Sequence, residues 1–414
     1  MKQIKMSLVA AIVAATTTGA NAGALDTVLS NPKLSIELRP RYEYANIHQD
    51  GTDAASALTV RTSIDVQAGL MNVEGLNVEL QAISVDNFGL VTDYTPENGS
   101  YDKIADPTQT RMTQANISYA KDGFVGIVGR KMVGLDNHRF IGTVGWRQMP
   151  QSYDLAAAIY NYDKMSLLAA YVTRVNRVTT TTIDTGSVLL HAAYNLMPEL
   201  QLTAYDYMIQ NFADHVGLRA TGKMTIDDIA LKYTAEFAMQ NDPTMTDDND
   251  PILANATSAG NITQDATYYN LAVDASFQNY TVGVGYEVLG EKGSGNNAFY
   301  TPLATLHGKN GWADRFLTGT PDNGLVDMSL KVAYNAGAYG KLVGVYHNFS
   351  SDARSIDYGT EFDAAYKMKV NKNLDLLLKS AWYNTDASTS TSEAWTHDTT
   401  KYWVQFDYKF NAQL

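Results

Sequence analysis

Stretches of roughly ten residues in which apolar and polar side chains alternate recur along the chain, and the connections between them alternate in length. Period-two alternation is the pattern of a strand with one face in an apolar environment and the other in a polar one. LTVRTSIDVQAGL (58–70) places Leu58, Val60, Thr62, Ile64, Val66, Ala68 and Leu70 on one face, with Arg61, Ser63, Asp65 and Gln67 on the other. IDYGTEFDAAYKMKV (356–370) sets Ile356, Tyr358, Phe362, Ala364, Tyr366, Met368 and Val370 against Asp357, Glu361, Asp363, Lys367 and Lys369. The segments 229–239, 268–277 and 280–288 behave the same way. Each is about the length that crosses a bilayer as a tilted strand.

Eighteen candidate strands can be placed, at about 33–46, 57–70, 76–88, 111–120, 123–131, 152–161, 164–174, 186–196, 199–209, 213–222, 226–239, 266–277, 279–289, 325–335, 338–348, 356–369, 373–384 and 400–410. Sixteen is the competing count. Tight turns such as KDG, YDK, QNY and VNKN follow the even-numbered strands. Longer polar loops follow the odd-numbered ones, at 47–56, 89–110, 132–151, 175–185, 240–265, 290–324, 349–355 and 385–399, with a short link near 210–212 as the exception. A β-sandwich has no reason to sort its loops by parity. An outer-membrane barrel does, because one end carries short periplasmic turns and the other long extracellular loops. The expected fold is all-β: a transmembrane antiparallel up-and-down β-barrel of eighteen strands.

The rest of the chain agrees with that compartment. Lys2 and Lys5, the apolar run Met6–Ala15 and the small-residue site Ala20-Asn21-Ala22 read as a signal peptide over 1–22. Residues 23–414 then form one barrel domain, with no linker composition to divide them. No Cys is present, so no disulfide or thiolate metal site exists. No later apolar run is long enough for a membrane helix. A net charge of −13 argues against nucleic acid as a partner. Tyr, at 26 against 12 Phe, suits a membrane–water interface. Expected partners are the lipid bilayer and lipopolysaccharide of a Gram-negative outer membrane, and small polar or charged solutes. KYWVQFDYKF (401–410) alternates Tyr402, Val404, Phe406, Tyr408 and Phe410, a C-terminal pattern similar to the one that outer-membrane assembly machinery reads; here NAQL follows it.

Placing the apolar face toward lipid assigns the lumen. In the first strand Glu37, Arg39, Arg41 and Glu43 point inward, and Arg61 and Asp65 do so in the second. A loop centred near 51–52 pairs residues summing to about 102–103, which makes Arg41 and Arg61 near neighbours. Arg219, Lys232 and Glu236 are further inward candidates, with Glu79, Asp274, Glu287, Asp327, Lys331, Glu361, Asp363, Lys367, Lys369, Asp375 and Lys379. The mixed signs admit two readings: salt bridging across a wide interior, or a transverse field across a constriction. The acidic loop 241–265 contains DDND; Asp247, Asp248 and Asp250 are a weak Ca²⁺ candidate without the acid ladder of an EF-hand. Otherwise no metal or cofactor is expected. No catalytic motif occurs, and Ser187 and His191 are too far apart along a strand for a hydrogen bond, so no enzyme activity is expected.

GRKMVGLDNHRFIGTVGWRQMPQSYD (129–154) resembles a segment of the alginate-export family of outer-membrane porins through Gly129, Arg130, Asp136, Arg139, Trp146, Arg147 and Gln148. Segment 299–317 is similar to an insertion of that family. The resemblance implies a barrel, commonly of eighteen strands, with an arginine-containing pore. The expected function is a water-filled channel for passive or facilitated diffusion of small hydrophilic solutes and ions. The alternative is export of an anionic polysaccharide such as alginate, which the acidic loop would repel. Loop 132–151 either folds into the lumen, bringing Arg130, Arg139 and Arg147 with it, or is anchored over the rim by Trp146 with its arginines in salt bridges.

Overall fold

A computed structural model describes residues 28–49, 51–247, 262–317, 319–386 and 393–413. The signal-peptide segment 1–22, Asp248 and Asp250 lie outside the described residues. Eighteen long strands form one antiparallel sheet. They are β1 (Leu29–Asn46), β2 (Ala55–Leu70), β3 (Leu76–Asp86), β4 (Gln109–Lys121), β5 (Phe124–Lys131), β6 (Ser152–Tyr162), β7 (Met165–Asn176), β8 (Thr182–Met197), β9 (Leu200–Ile209), β10 (Ala213–Ile226), β11 (Ile229–Asn241), β12 (Asp265–Phe277), β13 (Tyr280–Leu289), β14 (Leu325–Asn335), β15 (Lys341–Ser350), β16 (Asp357–Lys369), β17 (Leu374–Asn384) and β18 (Thr399–Gln413). Each strand pairs with its sequence neighbours, and β1 pairs with β18 from Lys33↔Gln413 to Asn46↔Thr400, which closes the barrel. Asn411, Ala412 and Gln413, the residues past the aromatic pattern, continue the last strand against Ser35, Leu34 and Lys33. A two-residue strand, Thr92–Asp93, lies in the connection after β3 and pairs with Ala57 and Ser56.

The faces follow the alternation. Leu38 and Tyr42 of β1, Leu218 of β10, Leu271 and Val273 of β12, Val282 and Val284 of β13 and Met328, Leu330 and Val332 of β14 are exposed on the outside. A continuous apolar exterior of this kind is stable only against lipid. Aromatic residues gather at both ends of it. Tyr160 stacks on Tyr162, and Tyr280 meets Tyr334 at a tilt, near the short turns. Phe237 meets Tyr269 at a tilt, and Trp382 stacks on Phe362 and meets Tyr402 edge-on, near the long loops. Two-residue turns at 122–123, 163–164, 227–228 and 278–279 put Asp122, Asp163, Asp227 and Gln278 at φ of 48–52°, the backbone that matches strand twist in a tight hairpin. Face assignments differ from the sequence pattern at the start of β16, where Ile356 packs on the interior cluster. Tyr358, grouped with the lipid-facing residues, is buried inside and donates to the Gly324 carbonyl at 3.0 Å. The register of β15 against β16 shifts beside Gly359, whose φ is 120°, and a bulge reverses the side-chain sense of what precedes it.

An eighteen-stranded barrel is too wide for wall side chains alone to fill. Here long loops fill part of it. Segments 132–151 and 290–324 turn inward and bind one another: Gly142 N donates to the Leu303 carbonyl and Thr305 N to the His138 carbonyl, both at 2.9 Å. Phe140, Phe299, Leu303 and Phe316 from these loops pack on inward residues such as Tyr153, Tyr205, Tyr207, Tyr268, Phe349 and Trp403. This apolar plug draws wall residues from β6 through β18; among the described residues, none of its buried members comes from β1–β5.

Candidate functional site

The wall the plug leaves bare is basic. Arg39 and Arg41 point inward from β1, Arg61 from β2 and Arg111 from β4, whereas Arg130 of β5, expected in the pore, pairs with Asp154 between the inward Tyr153 and Leu155 and therefore faces outward. The register places Arg39 opposite Arg61 and Arg41 opposite Thr59, so the pairs sum to 100 and not to 102–103. The hairpin loop is centred nearer residue 50, and Arg61 is the direct neighbour of Arg39. Arg39 Nε donates to Asp407 at 2.6 Å, and Arg39 also meets Glu37 at 3.2 Å. Arg61 reaches Glu37 at 3.6 Å, while its Nε has no hydrogen-bond partner among the described residues. Arg111 donates to the carbonyls of Pro150 and Thr179. Arg130 holds Asp154 through Nε and Nη2 at 2.6 and 2.8 Å. Asp65 and Glu79 complete this side near the short-turn mouth, where Lys131 meets Glu79 at 2.6 Å.

Loop 132–151 crosses the interior toward this wall and is not anchored over the rim, while Arg139 and Arg147 do engage in ion pairs. Arg39 Nη1 donates to the Gly145 carbonyl at 3.1 Å, and Arg41 donates to the Trp146 carbonyl with its guanidinium 4.2 Å from that indole. Gln148 Nε2 bonds the Thr59 hydroxyl at 2.9 Å and the Arg39 carbonyl at 3.1 Å. Arg147 is buried among carboxylates from three places: Glu43 at 3.0 and 3.1 Å, Asp314 at 3.2 Å and Asp106 at 3.6 Å. Burial alone would lower its pKa, but Glu43, Asp106 and Asp314 outweigh burial and raise it. Arg139 is fully buried and turns the other way, to Glu287 at 3.2 Å and Asn310 at 3.2 Å. It holds the loop and does not face open lumen.

The second loop docks on an acidic sector opposite. Glu287 of β13, Asp327 of β14 and Glu361 and Asp363 of β16 are buried inward carboxylates. Asn310 donates to Glu287 at 2.7 Å and Asp327 at 3.2 Å. Ala313 N and Trp312 N donate to Glu361 and Asp363 at 2.7 and 3.2 Å. Gly311, at φ 80°, turns the chain here, and a Cβ on it would strike the Glu361 carboxylate. His307 joins the two loops: its ring stacks on Trp146 at 4.3 Å, Nδ1 bonds Asp314 at 2.7 Å and Nε2 lies 2.7 Å from Lys379 Nζ. Burial pushes His307 well below its usual pKa. A neutral imidazole therefore donates from Nδ1 and accepts the Lys379 ammonium at Nε2. Lys401 also meets Asp314, at 2.9 Å.

The remaining expected residues lie apart from this crossing. Arg219 and Glu236 face each other across β10 and β11 at 2.6 Å, with Tyr205 donating to Glu236 at 2.9 Å. Lys232 is exposed at the short-turn mouth, paired in register with Asp274. Asp247 is bonded through its backbone to Asn211. Among the described residues, no three His, Cys, Asp or Glu side chains gather to hold a metal. Asp106, Asp314, His307 and Arg111 were not singled out from the sequence. The first three lie in loops without a period, so alternation carries no signal for them. Arg111 does lie on a strand, and its inward parity was the available clue.

Neither a family model nor a curated protein matches the chain. Solved structures do. OccAB2 of Acinetobacter baumannii aligns at TM-score 0.72 and 14% identity, over 94% of this chain and 100% of that one. OpdO of Pseudomonas aeruginosa aligns at 0.70 and 13%, over 94% and 99%. The outer membrane protein OpdK of Pseudomonas aeruginosa aligns at 0.68 and 14%, over 93% and 100%. The chain shares the closed eighteen-stranded outer-membrane barrel fold of these proteins along nearly its whole length.

Proposed function

We propose that this chain is an outer-membrane porin that passes small hydrophilic solutes and ions by passive or facilitated diffusion along the β1–β5 wall. The observation that carries this reading is the one-sided filling of the barrel. The apolar plug draws its buried wall members from β6–β18, and the inward arginines of β1, β2 and β4 lie on the remaining wall, which loop 132–151 touches through Gly145, Trp146, Gln148 and Met149. Acidic side chains gather on β13, β14 and β16, so a solute in the gap experiences a field directed from the basic wall toward the acidic sector. Charged groups at a constriction set ion preference, and here Arg39 and Arg61 favour anions.

The apolar belt and its aromatic rims fit a Gram-negative outer membrane, with lipid and lipopolysaccharide as surroundings. The β18 aromatic face fits recognition by the assembly machinery during insertion. The affinity with the alginate-export family stays at the level of the segment 129–154, and no family model matches. Export of an anionic polysaccharide has no geometric support, because Arg130, Arg139 and Arg147 are already engaged with Asp154, Glu287 and Glu43.

The test is conductance and reversal potential of the refolded protein in planar bilayers. Discrete channels with anion preference are expected; a barrel that assembles, by heat-modifiable migration, yet never conducts refutes the reading.

A further inference from the structure

The outer face of β6–β10 carries a groove of about 710 Å³. Leu167 and Ala169 of β7, Leu190 and Ala192 of β8 and Ala204 of β9 give it apolar walls. Asp206 stands at its end toward the long loops. The neighbours of Asp206 in β9, Tyr205 and Tyr207, belong to the interior cluster, so alternation turns Asp206 outward, between the lipid-facing Leu190 of β8 and Val216 of β10. A carboxylate on the lipid face is costly unless something satisfies it. Other charged side chains turned outward on this sector are met within the chain. Arg130 holds Asp154, Arg174 holds Asp184, and Thr244 N donates to Asp214 at 3.2 Å. Asp206 Oδ1 is covered by its surroundings and has no hydrogen-bond partner among the described residues. Register fixes its depth. Ala204, Leu218 and Phe237 form one outward row across β9–β11, and Asp206, Val216 and Met239 form the next row toward the long loops. Phe237 belongs to the outer aromatic rim, so Asp206 stands at the boundary between acyl chains and headgroups.

We propose that this groove is a binding site for one acyl chain of an outer-leaflet glycolipid, whose amide N–H or hydroxyl at the head end of that chain donates to Asp206. The groove walls take hydrocarbon, and an ionised carboxylate takes only a donor. A phosphate at the depth of Asp206 would be repelled by it and by Asp214, so a phospholipid whose first polar group is a phosphate is the poorer fit. The anionic part of a glycolipid head lies further out, where Arg174 is exposed at the rim. A second copy of the chain docked face to face offers Asp206 no free cation, because Arg130 and Arg174 are already paired. The inference rests on the outer-membrane placement in the porin reading and not on conduction.

The test is native mass spectrometry of the refolded full chain released from detergent micelles, with lipid A, phosphatidylglycerol or phosphatidylethanolamine supplied singly. Lipid A carries amide-linked hydroxyacyl chains, and the two phospholipids carry none. Wild type is expected to retain lipid A about tenfold better than either phospholipid, the discrimination of one hydrogen bond to a charged group. D206L should lower lipid A retention about tenfold and leave phospholipid retention unchanged. A192F, which fills the groove and leaves the carboxylate in place, should lower lipid A retention as well. Both positions face outward and touch no inward loop, and heat-modifiable migration confirms that each variant barrel has formed. Equal retention of lipid A and either phospholipid by wild type overturns the site, as does unchanged lipid A retention in D206L. A wild type that runs as a dimer and excludes lipid A shows that a second copy covers the groove, and it too overturns the site. A barrel that shows the expected lipid preference yet never conducts keeps the site and overturns the channel reading instead.

Discussion

Arg147 is the residue on which the inward position of loop 132–151 depends most, and its removal has a calculable consequence. Arg147→Met keeps the side-chain bulk and deletes the charge. Three carboxylates lose a partner, but not equally. Asp314 keeps Lys401 at 2.9 Å and His307 at 2.7 Å, and Asp106 keeps Arg41 at 3.4 Å. Among the described residues Glu43 keeps only Arg41 as an ion-pair partner, at 4.0 Å, and it is 1% exposed. The cost is therefore close to that of one uncompensated buried carboxylate, about 3 kcal/mol. That shifts the equilibrium between docked and released loop by roughly a hundredfold. R147M channels should show larger mean conductance and marked open-channel noise, and the loop should become sensitive to protease. Adding E43Q removes the stranded charge, so R147M/E43Q should be quieter than R147M alone. Wild-type amplitude and noise in R147M, or a double variant noisier than R147M, would refute the assignment of Arg147–Glu43 as the latch.

Three further outcomes follow from the same geometry. R39Q/R61Q should move the reversal potential toward cation preference while the heat-modifiable barrel still forms; an unchanged potential places the ion path elsewhere. Burial lowers the half-buried Lys309 to about 8, against Glu287 and Glu236 that favour its charge and Arg139 and Arg219 that oppose it. It is charged below that pH and neutral above, so anion preference should fall between pH 7 and 9, and K309M should abolish that step. G311A forces a Cβ onto the Glu361 carboxylate at a left-handed position, which costs about 1–3 kcal/mol. It should release segment 290–324, seen as new protease sites there without loss of the barrel.

Strand number and strand parity were legible because lipid on one side and water on the other impose a period of two on every wall segment. All eighteen expected strands are present, and the inward assignments of Glu37, Arg39, Arg41 and Glu43 hold. Register was less legible: an error of one residue in the centre of the first loop exchanged Arg39 for Arg41 as the neighbour of Arg61. Tyr358 was misplaced because a bulge at Gly359 interrupts the period without changing the composition. The crossing itself was hardly legible. Asp106, Asp314 and His307 meet Arg147 and Trp146 from loops far apart in the chain, and no local pattern records such a meeting. Arg147 and Trp146 were visible only through a family resemblance of segment 129–154.

The absence of Cys gives the inward loops no covalent tie, so docking must come from burial and charge. Both are used, on different sides. The aromatic residues Phe140, Phe299 and Phe316 supply apolar area against β6–β18, which excludes water there. The ion pairs of Arg147 and Arg139 then fix the loops at their two ends of the crossing, on Glu43 of β1 and on Glu287 of β13. On the arginine wall the apolar contact is small, Met149 on Ile83 and Val85 of β3, and polar and charged side chains of β1 and β2 hold the rest of the loop. Charge preference in the passage thus follows from where the plug packs and not from the net charge of −13, to which the loop at 241–265 contributes five Asp and no Lys or Arg. A variant that neutralises those five Asp should leave the reversal potential near the wild-type value at physiological salt if the wall charges govern selectivity. A shift as large as that of R39Q/R61Q would show that the loops, and not the wall, govern selectivity.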